Sequence, residues 1–232
     1  MNIVITGASQ GIGYAIAEVF AHAGYTLLIG SKTPANIQKA TVALQTKYPN
    51  ATIHSMAADL ADPTMCAEFT QWCLSYGPPS VLINNAGYFL PGNICDEASG
   101  VLEAQLAANL FSAYHVTRGL VPSMIQARKG HIFNICSIAS LQAYAQGGSY
   151  SISKFALLGF SKNLREELKD KGVKVTAVSP GAVYTNSWSG SGVDPKRIME
   201  ANDIAQMIFS AAHLSSQAVV EDIVMRPQLG DL

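Results

Sequence analysis

The chain has 232 residues, a formal net charge of −1, and only 13% charged against 49% apolar residues. Globular chains average about 25% charged residues, so this composition suits a parallel sheet covered on both faces and a large apolar contact between subunits. Near-neutral charge gives no overall attraction to nucleic acid or an anionic membrane. No apolar run reaches the roughly 18 residues that read as a membrane span. The opening Ile3-Val4-Ile5 is short and lacks the basic flank of a secretory leader, so a soluble cytoplasmic protein is expected. Cys66, Cys73, Cys95 and Cys136 form no C-x-x-C pair and no Cys/His cluster, so reduced thiols and no metal site are expected. The length fits one α/β domain over residues 1–232.

In chain order, Asn2–Thr6 reads as a buried strand that runs straight into Gly7-Ala8-Ser9-Gln10-Gly11-Ile12-Gly13 and an apolar-periodic helix to about Ala23. Gly24 stops the helix and Tyr25–Gly30 supplies a second strand, making a βαβ unit. Glycines between strand and helix let the backbone approach a pyrophosphate held at the helix N-terminus, where free N–H groups and the dipole favour an anion. The spacing is G-x-x-x-G-x-G rather than the commoner G-x-G-x-x-G. A helix is predicted over Pro34–Tyr48, a strand over Ala51–Met56 with its end at Asp59, and a helix from Pro63 to about Ser75. Ser80–Asn84 is a strand, and Asn84-Asn85-Ala86-Gly87 ends it at the ligand edge of the sheet. A long helical region spans Asp96–Arg128, with a break near Gly100 and Asn109 inside it. The strand His131–Ser137, the helix Gly148–Lys171 and the strand Val173–Ser179 follow, with Pro180-Gly181 after them. Residues 185–196 have the Ser/Gly-rich composition of a mobile loop, Ala201–Leu214 is a last helix, and Asp222–Met225 a last strand. About seven strands alternating with helices predict an α/β fold: a single doubly wound parallel sheet of Rossmann type, with helices on both faces.

Tyr150 and Lys154 are four residues apart on a predicted helix, so phenol and ammonium share a face. A cation close to a phenol favours its ionised form, which brings an ordinary pKa of about 10 toward use as an acid or base. The end of the second strand reads Gly30-Ser31-Lys32-Thr33. An NAD site carries an acidic group there for the ribose 2′-OH, whereas a 2′-phosphate prefers a base.

Taken in order along nearly the whole chain, these stretches resemble the short-chain dehydrogenase/reductase enzymes. The resemblance implies a catalytic set of Asn109, Ser137, Tyr150 and Lys154. Tyr150 would pass a proton to or from the substrate oxygen, and Ser137 would hydrogen-bond that oxygen. Lys154 would lower the Tyr150 pKa and hold the nicotinamide ribose, and Asn109 would hold a relay water. A buried amide tying two helices is the other reading of Asn109. For the cofactor it implies Gly7, Ser9, Gln10, Gly11, Ile12 and Gly13 at the phosphates, and Ser31, Lys32, Asp59 and Leu60 toward the adenosine. Asn85, Ala86, Gly87, Tyr150 and Lys154 would follow along it, with Pro180, Gly181, Val183 and Thr185 on the nicotinamide side. Asp59 also reads as a turn or cap residue. Lys32 stands where NADP-dependent members often carry Arg, while Gln10 departs from the second basic residue many of them have. NADP(H) is therefore expected in preference to NAD(H).

The substrate implied is a small carbonyl compound or alcohol, reached through a substrate-side loop over residues 182–200. Leu90, Tyr144 and Trp188 are candidates for an apolar wall. A homodimer or homotetramer built on residues 105–128 and 148–171 is also implied. Two other readings are a dinucleotide-binding sensor that has lost the chemistry, and an epimerase or dehydratase using the same Tyr/Lys pair.

Overall fold

The computed structural model describes residues 1–185, 188 and 192–231, so part of the expected loop over 185–196 lies outside the described residues. The strands are β1 (Asn2–Thr6), β2 (Thr26–Ser31), β3 (Ile53–Ala57), β4 (Val81–Asn84), β5 (Gly130–Ile135), β6 (Val173–Pro180), the two-residue β7 (Val183–Tyr184) and β8 (Met199–Glu200), and β9 (Asp222–Met225). Seven of them form one sheet in the order β3-β2-β1-β4-β5-β6-β9, and β7 pairs with β8. Every pairing in the large sheet is parallel. The doubly wound α/β architecture expected from the strand–helix alternation is the one observed.

The helices are α1 (Gly11–His22), α2 (Pro34–Lys47), α3 (Pro63–Leu74), α4 (Val101–Leu106), α5 (Ser112–Ala127), α6 (Gly148–Leu168) and α7 (Ala201–Ala212). Alternation along the strands explains why they take both faces. Ile3 and Ile5 of β1 join a core with Phe20 of α1, Leu44 of α2 and Ile208 of α7. Val4 points the other way, into a core with Phe69 of α3, Leu120 of α5 and Leu164 of α6. Both cores are built from fully buried aliphatic and aromatic side chains, each worth roughly 1.5–3 kcal/mol on leaving water.

Three local outcomes differ from expectation. The helical region 96–128 is divided into α4, a π-helical turn at Ala107–Phe111, and α5. A π turn holds an extra residue, a feature that recurs at functional sites, and it carries Asn109. The strand expected over 131–137 stops at Ile135, because Ser137 caps the 3-10 turn Ile138–Ser140 instead. Capping of α3 falls to Asp62, whose carboxylate accepts from Thr64 N at 2.8 Å, while Asp59 Oδ1 accepts from Ala61 N at 3.2 Å within the preceding turn.

His131 sits at 4% exposure on β5, stacked on Phe133 with ring centroids 3.9 Å apart. Thr176 Oγ1 donates to Val220 O at 2.6 Å and so accepts from His131 Nε2–H at 2.7 Å. Nδ1 has no partner among the described residues. Burial, with Lys174 nearby, pushes the ring's pKa down to about 3. A folded value below the ordinary 6.5 means that the unfolded chain takes up a proton the native state refuses. This contribution is fully present above about pH 6.5 and is lost as pH falls toward 3. The loss at pH 4 should approach about 3 kcal/mol. Thermal unfolding from pH 7 to pH 4 should therefore show a smaller drop in Tm for His131→Gln than for the native chain, and parallel curves would refute this origin of acid sensitivity.

Candidate active site

The glycine turn between β1 and α1 is shaped by contacts only small residues tolerate. Gly7 and Gly11 have φ of +65° and +58°, a region that favours glycine. At Gly13 a built Cβ would lie 2.4 Å from Gly7 O and 2.5 Å from Asn85 Nδ2, so the first turn of α1 presses directly on the loop. Asn85 Nδ2 donates to Thr6 O and Gly7 O, both at 3.0 Å. Thr6 Oγ1 in return accepts from Asn85 N and Ala86 N, both at 2.9 Å. Loop and β4 end are thus locked together, and Thr6 does this unforeseen. Gln10 sits at the N-cap of α1 in extended conformation and makes no side-chain cap hydrogen bond, and the N–H groups of such a helix start favour an anion. Across the turn Thr185 lies against Gly11, where a built Cβ would be 3.1 Å from Thr185 Cγ2.

Along the β2–β3 edge, Ser9 Oγ and Ser31 Oγ are 2.9 Å apart. Lys32 Nζ lies 2.9 Å from Asp59 Oδ2, both side chains well exposed. The partnership holds the Asp59 carboxyl below its ordinary range, chiefly through the Lys32 hydrogen bond. The charge that would repel a phosphate here is therefore neutralised by the one that would attract it. Leu60 turns its side chain into the core at 5% exposure, which leaves only its backbone to meet a ligand. Val183 is also buried, and Gly181 N donates to Met225 O at 2.8 Å.

Tyr150 and Lys154 do share a face of α6, with Lys154 Nζ 5.8 Å from the centre of the Tyr150 ring. Lys154 is 6% exposed and donates to Ile135 O at the end of β5, at 2.8 Å. Burial pulls its pKa down to about 8. Burial also pushes Tyr150 up to about 12, against a hydrogen bond from Ser137 that lowers it. Expectation and geometry part here: the protein's own groups leave the phenol above its ordinary value, because desolvation outweighs the stabilisation on offer. Ser137 Oγ accepts from Ala139 N at 3.1 Å, and Ser137 N donates to Ser140 Oγ at 3.2 Å. The local capping role and the contact to Tyr150 coexist.

Asn109 is fully buried. Its Nδ2 donates to Ser153 Oγ at 2.9 Å and to Tyr88 O at 3.1 Å, while Oδ1 accepts from Tyr88 N at 2.9 Å. Gly87 passes over this amide, where a Cβ would fall 2.6 Å from Oδ1. The amide thus ties the segment after β4 to α6. Phe89, which no sequence motif singles out, sets its ring edge-on to Tyr150 with centroids 4.9 Å apart. Leu90 and Tyr144 are each 43% exposed, and Trp188 N donates to Thr185 O at 3.0 Å. The glycine cradle and backbone amides can hold a dinucleotide's phosphates, and the Tyr150–Ser137 pair can exchange a proton with a bound oxygen.

Comparison with known proteins agrees with this geometry. The family described as short chain dehydrogenase matches residues 1–194. A sepiapterin reductase of Chlorobaculum tepidum is 32% identical, over 99% of this chain and 97% of its own. A metagenomic short-chain oxidoreductase solved with NADP superposes with a TM-score of 0.85 at 29% identity, covering 98% of this chain and 97% of that one. The L-sorbose reductase of Gluconobacter frateurii, solved with NADPH and L-sorbose, gives 0.88 at 26% identity, covering 96% and 94%. Matched by that family over residues 1–194 and 32% identical to a relative along almost its whole length, the chain belongs to the short-chain dehydrogenases.

Proposed function

We propose that this protein is an NADP(H)-dependent reductase of small carbonyl compounds that also oxidises the corresponding alcohols, with Tyr150 exchanging the proton. The convergence of Tyr150, Ser137 and Lys154 at the carboxyl end of β5 carries the reading. Gly7–Gly13 would hold the phosphates of the cofactor and Ser31 and Lys32 its adenosine, and the group would supply hydride when bound. Tyr150 Oη gives its proton to the carbonyl oxygen as the alcohol forms, and Ser137 Oγ hydrogen-bonds that oxygen while charge builds on it. Lys154 is held at the end of β5 by Ile135 O, on the same face as Tyr150, and its ammonium would hold the ribose of the nicotinamide. Asn109 positions this group by fixing the Tyr88 backbone against Ser153.

A phenol raised to about 12 keeps its proton throughout the neutral range, which suits reduction. Oxidation needs the ionised form, so its rate should climb with pH, while the reduction rate should hold level from about pH 6 to 7 and decline as the Lys154 ammonium, held at about 8, loses its proton. Tyr150→Phe should cut kcat by about a thousandfold, read as NADPH consumption with a panel of diketones, aldehydes, sugars, acyl thioesters and pteridine ketones. Full activity of that variant would end this reading. The panel includes pteridines and sugars because similar reductases are named for sepiapterin and L-sorbose, and Phe89, Leu90 and Tyr144 offer an apolar wall to the rest.

Preference for NADP(H) rests on the absence of a carboxylate at the end of β2 and on the exposed Lys32 cation beside it. The similar structures solved with NADP and NADPH support it. Lys32→Ala should raise KM for NADPH about tenfold and leave that for NADH nearly unchanged, since a charge-assisted phosphate contact is worth roughly 1.5 kcal/mol. Equal effects on the two cofactors would count against it.

Exposed apolar stripes support a homo-oligomer. Phe111, closing the π turn, and Tyr114 of α5 lie three apart, as do Ile152 and Phe155 on α6, all at least 38% exposed. That spacing puts each pair on one helix face. Sedimentation at micromolar concentration should show a dimer or tetramer, and Phe155→Glu should shift it toward monomer.

A further inference from the structure

Helix α6 carries Tyr150 in its first turn, yet that turn contains no acidic residue and its N-cap, Gly147, has no side chain with which to cap. A helix start leaves several N–H groups without partners. Here the missing acceptor comes from far along the chain. Glu97, in the segment between β4 and α4, accepts from Ser149 N through Oε1 at 3.0 Å. Its Oε2 accepts a short hydrogen bond from Ser149 Oγ. Ser149 is 2% exposed and directly precedes Tyr150.

The surroundings are fitted to this carboxylate. Gly148 opens α6 with φ of +34°, and a Cβ there would lie 2.2 Å from Glu97 Oε1 and 2.5 Å from Gly92 O. At Gly92 a Cβ would lie 2.9 Å from Glu97 Cγ. Gly92 N also donates to Gln146 O at 3.0 Å, and Glu97 N to Asn93 O at 3.0 Å. The segment that presents Phe89 to Tyr150 is therefore fastened to α6 at two places. Asn109 and Ser153 hold its beginning, and Glu97 and Ser149 hold its end.

We infer that Glu97 is a positioning residue for the reaction: a cap supplied from outside the helix that sets the first turn of α6, and hence Tyr150, against Ser137 and the Phe89 wall. Its carboxylate complements the positive end of the helix dipole and makes charge-assisted bonds to both donors of Ser149. Losing it frees the turn to fray by the amount a cap ordinarily secures. Misplacement of a catalytic group by about 1 Å can cost up to about a hundredfold in rate. The glycine cradle lies on another part of the sheet edge and is tied to β4 through Thr6 and Asn85, and Lys154 is held separately by Ile135 O, so the main cofactor contacts should change little without Glu97.

This inference rests on Tyr150 as proton donor, and the test separates the two. In Glu97→Ala the Ser149 amide should exchange hydrogen at least about tenfold faster, and kcat should fall about tenfold, while KM for NADPH stays within about twofold. Glu97→Gln retains an acceptor for Ser149 N and a donor for Ser149 Oγ, and should keep more than about half of kcat. Should Glu97→Ala fail to fold, Glu97→Asp, one methylene short, replaces it with the same expectation. Native exchange and native kcat in the Ala or Asp variant would overturn the inference, as would a Gln variant as impaired as Ala. A parallel loss of NADPH binding would also overturn it, since that marks a general structural defect. If the native chain reduces nothing in the panel, the proposed function fails, and the exchange measurement still decides whether Glu97 holds the helix.

Discussion

Where parallel strands stop side by side, their last carbonyls and the amides that follow have no neighbouring strand to bond, and burial makes leaving them unpaired costly. This protein meets that constraint with side chains of the candidate site. Asn85 takes up Thr6 O and Gly7 O, Lys154 takes up Ile135 O, and Asn109 takes up both backbone groups of Tyr88. Ser137 accepts from Ala139 N, and Glu97 from Ser149 N. Each of these groups is held in place by the backbone it satisfies, so the fold itself supplies the rigidity that a reaction centre needs.

Burial then sets the electrostatics. Lys154 and Tyr150 are both less ionised than in water, the amine at about 8 and the phenol at about 12. The same desolvation disfavours the ammonium and the phenolate alike, and the Ser137 hydrogen bond only partly opposes it at the phenol. The site as built therefore keeps a proton on Tyr150 at neutral pH. Along the outer edge the opposite regime holds: Lys32 and Asp59 are solvent-exposed, and their mutual attraction is screened and weak. A 2′-phosphate has only to compete with a partner held loosely by water-facing charges.

The apolar surface follows the same division. The large side chains of the sheet pack into two cores, while Phe89, Leu90 and Tyr144 remain exposed around Tyr150 and Phe111, Tyr114, Ile152 and Phe155 remain exposed along α5 and α6. A chain with few charges keeps apolar groups outside for contact, and the two sets lie where substrate and subunit contacts are proposed.

Residue pattern alone determined the architecture and singled out the candidate site side chains. The apolar run of β1, the glycine turn before α1 and the four-residue step from Tyr150 to Lys154 are local properties, and local geometry fixes them. Most element bounds fell within a few residues for the same reason. What sequence could not supply were contacts between distant segments: Phe89 on Tyr150, Glu97 on Ser149, Asn109 between Tyr88 and Ser153, Lys32 on Asp59. The π turn that carries Asn109 and the direction of the Tyr150 shift were equally hidden. Both depend on how much protein surrounds a group and which backbone it must satisfy, and only the assembled tertiary structure decides that.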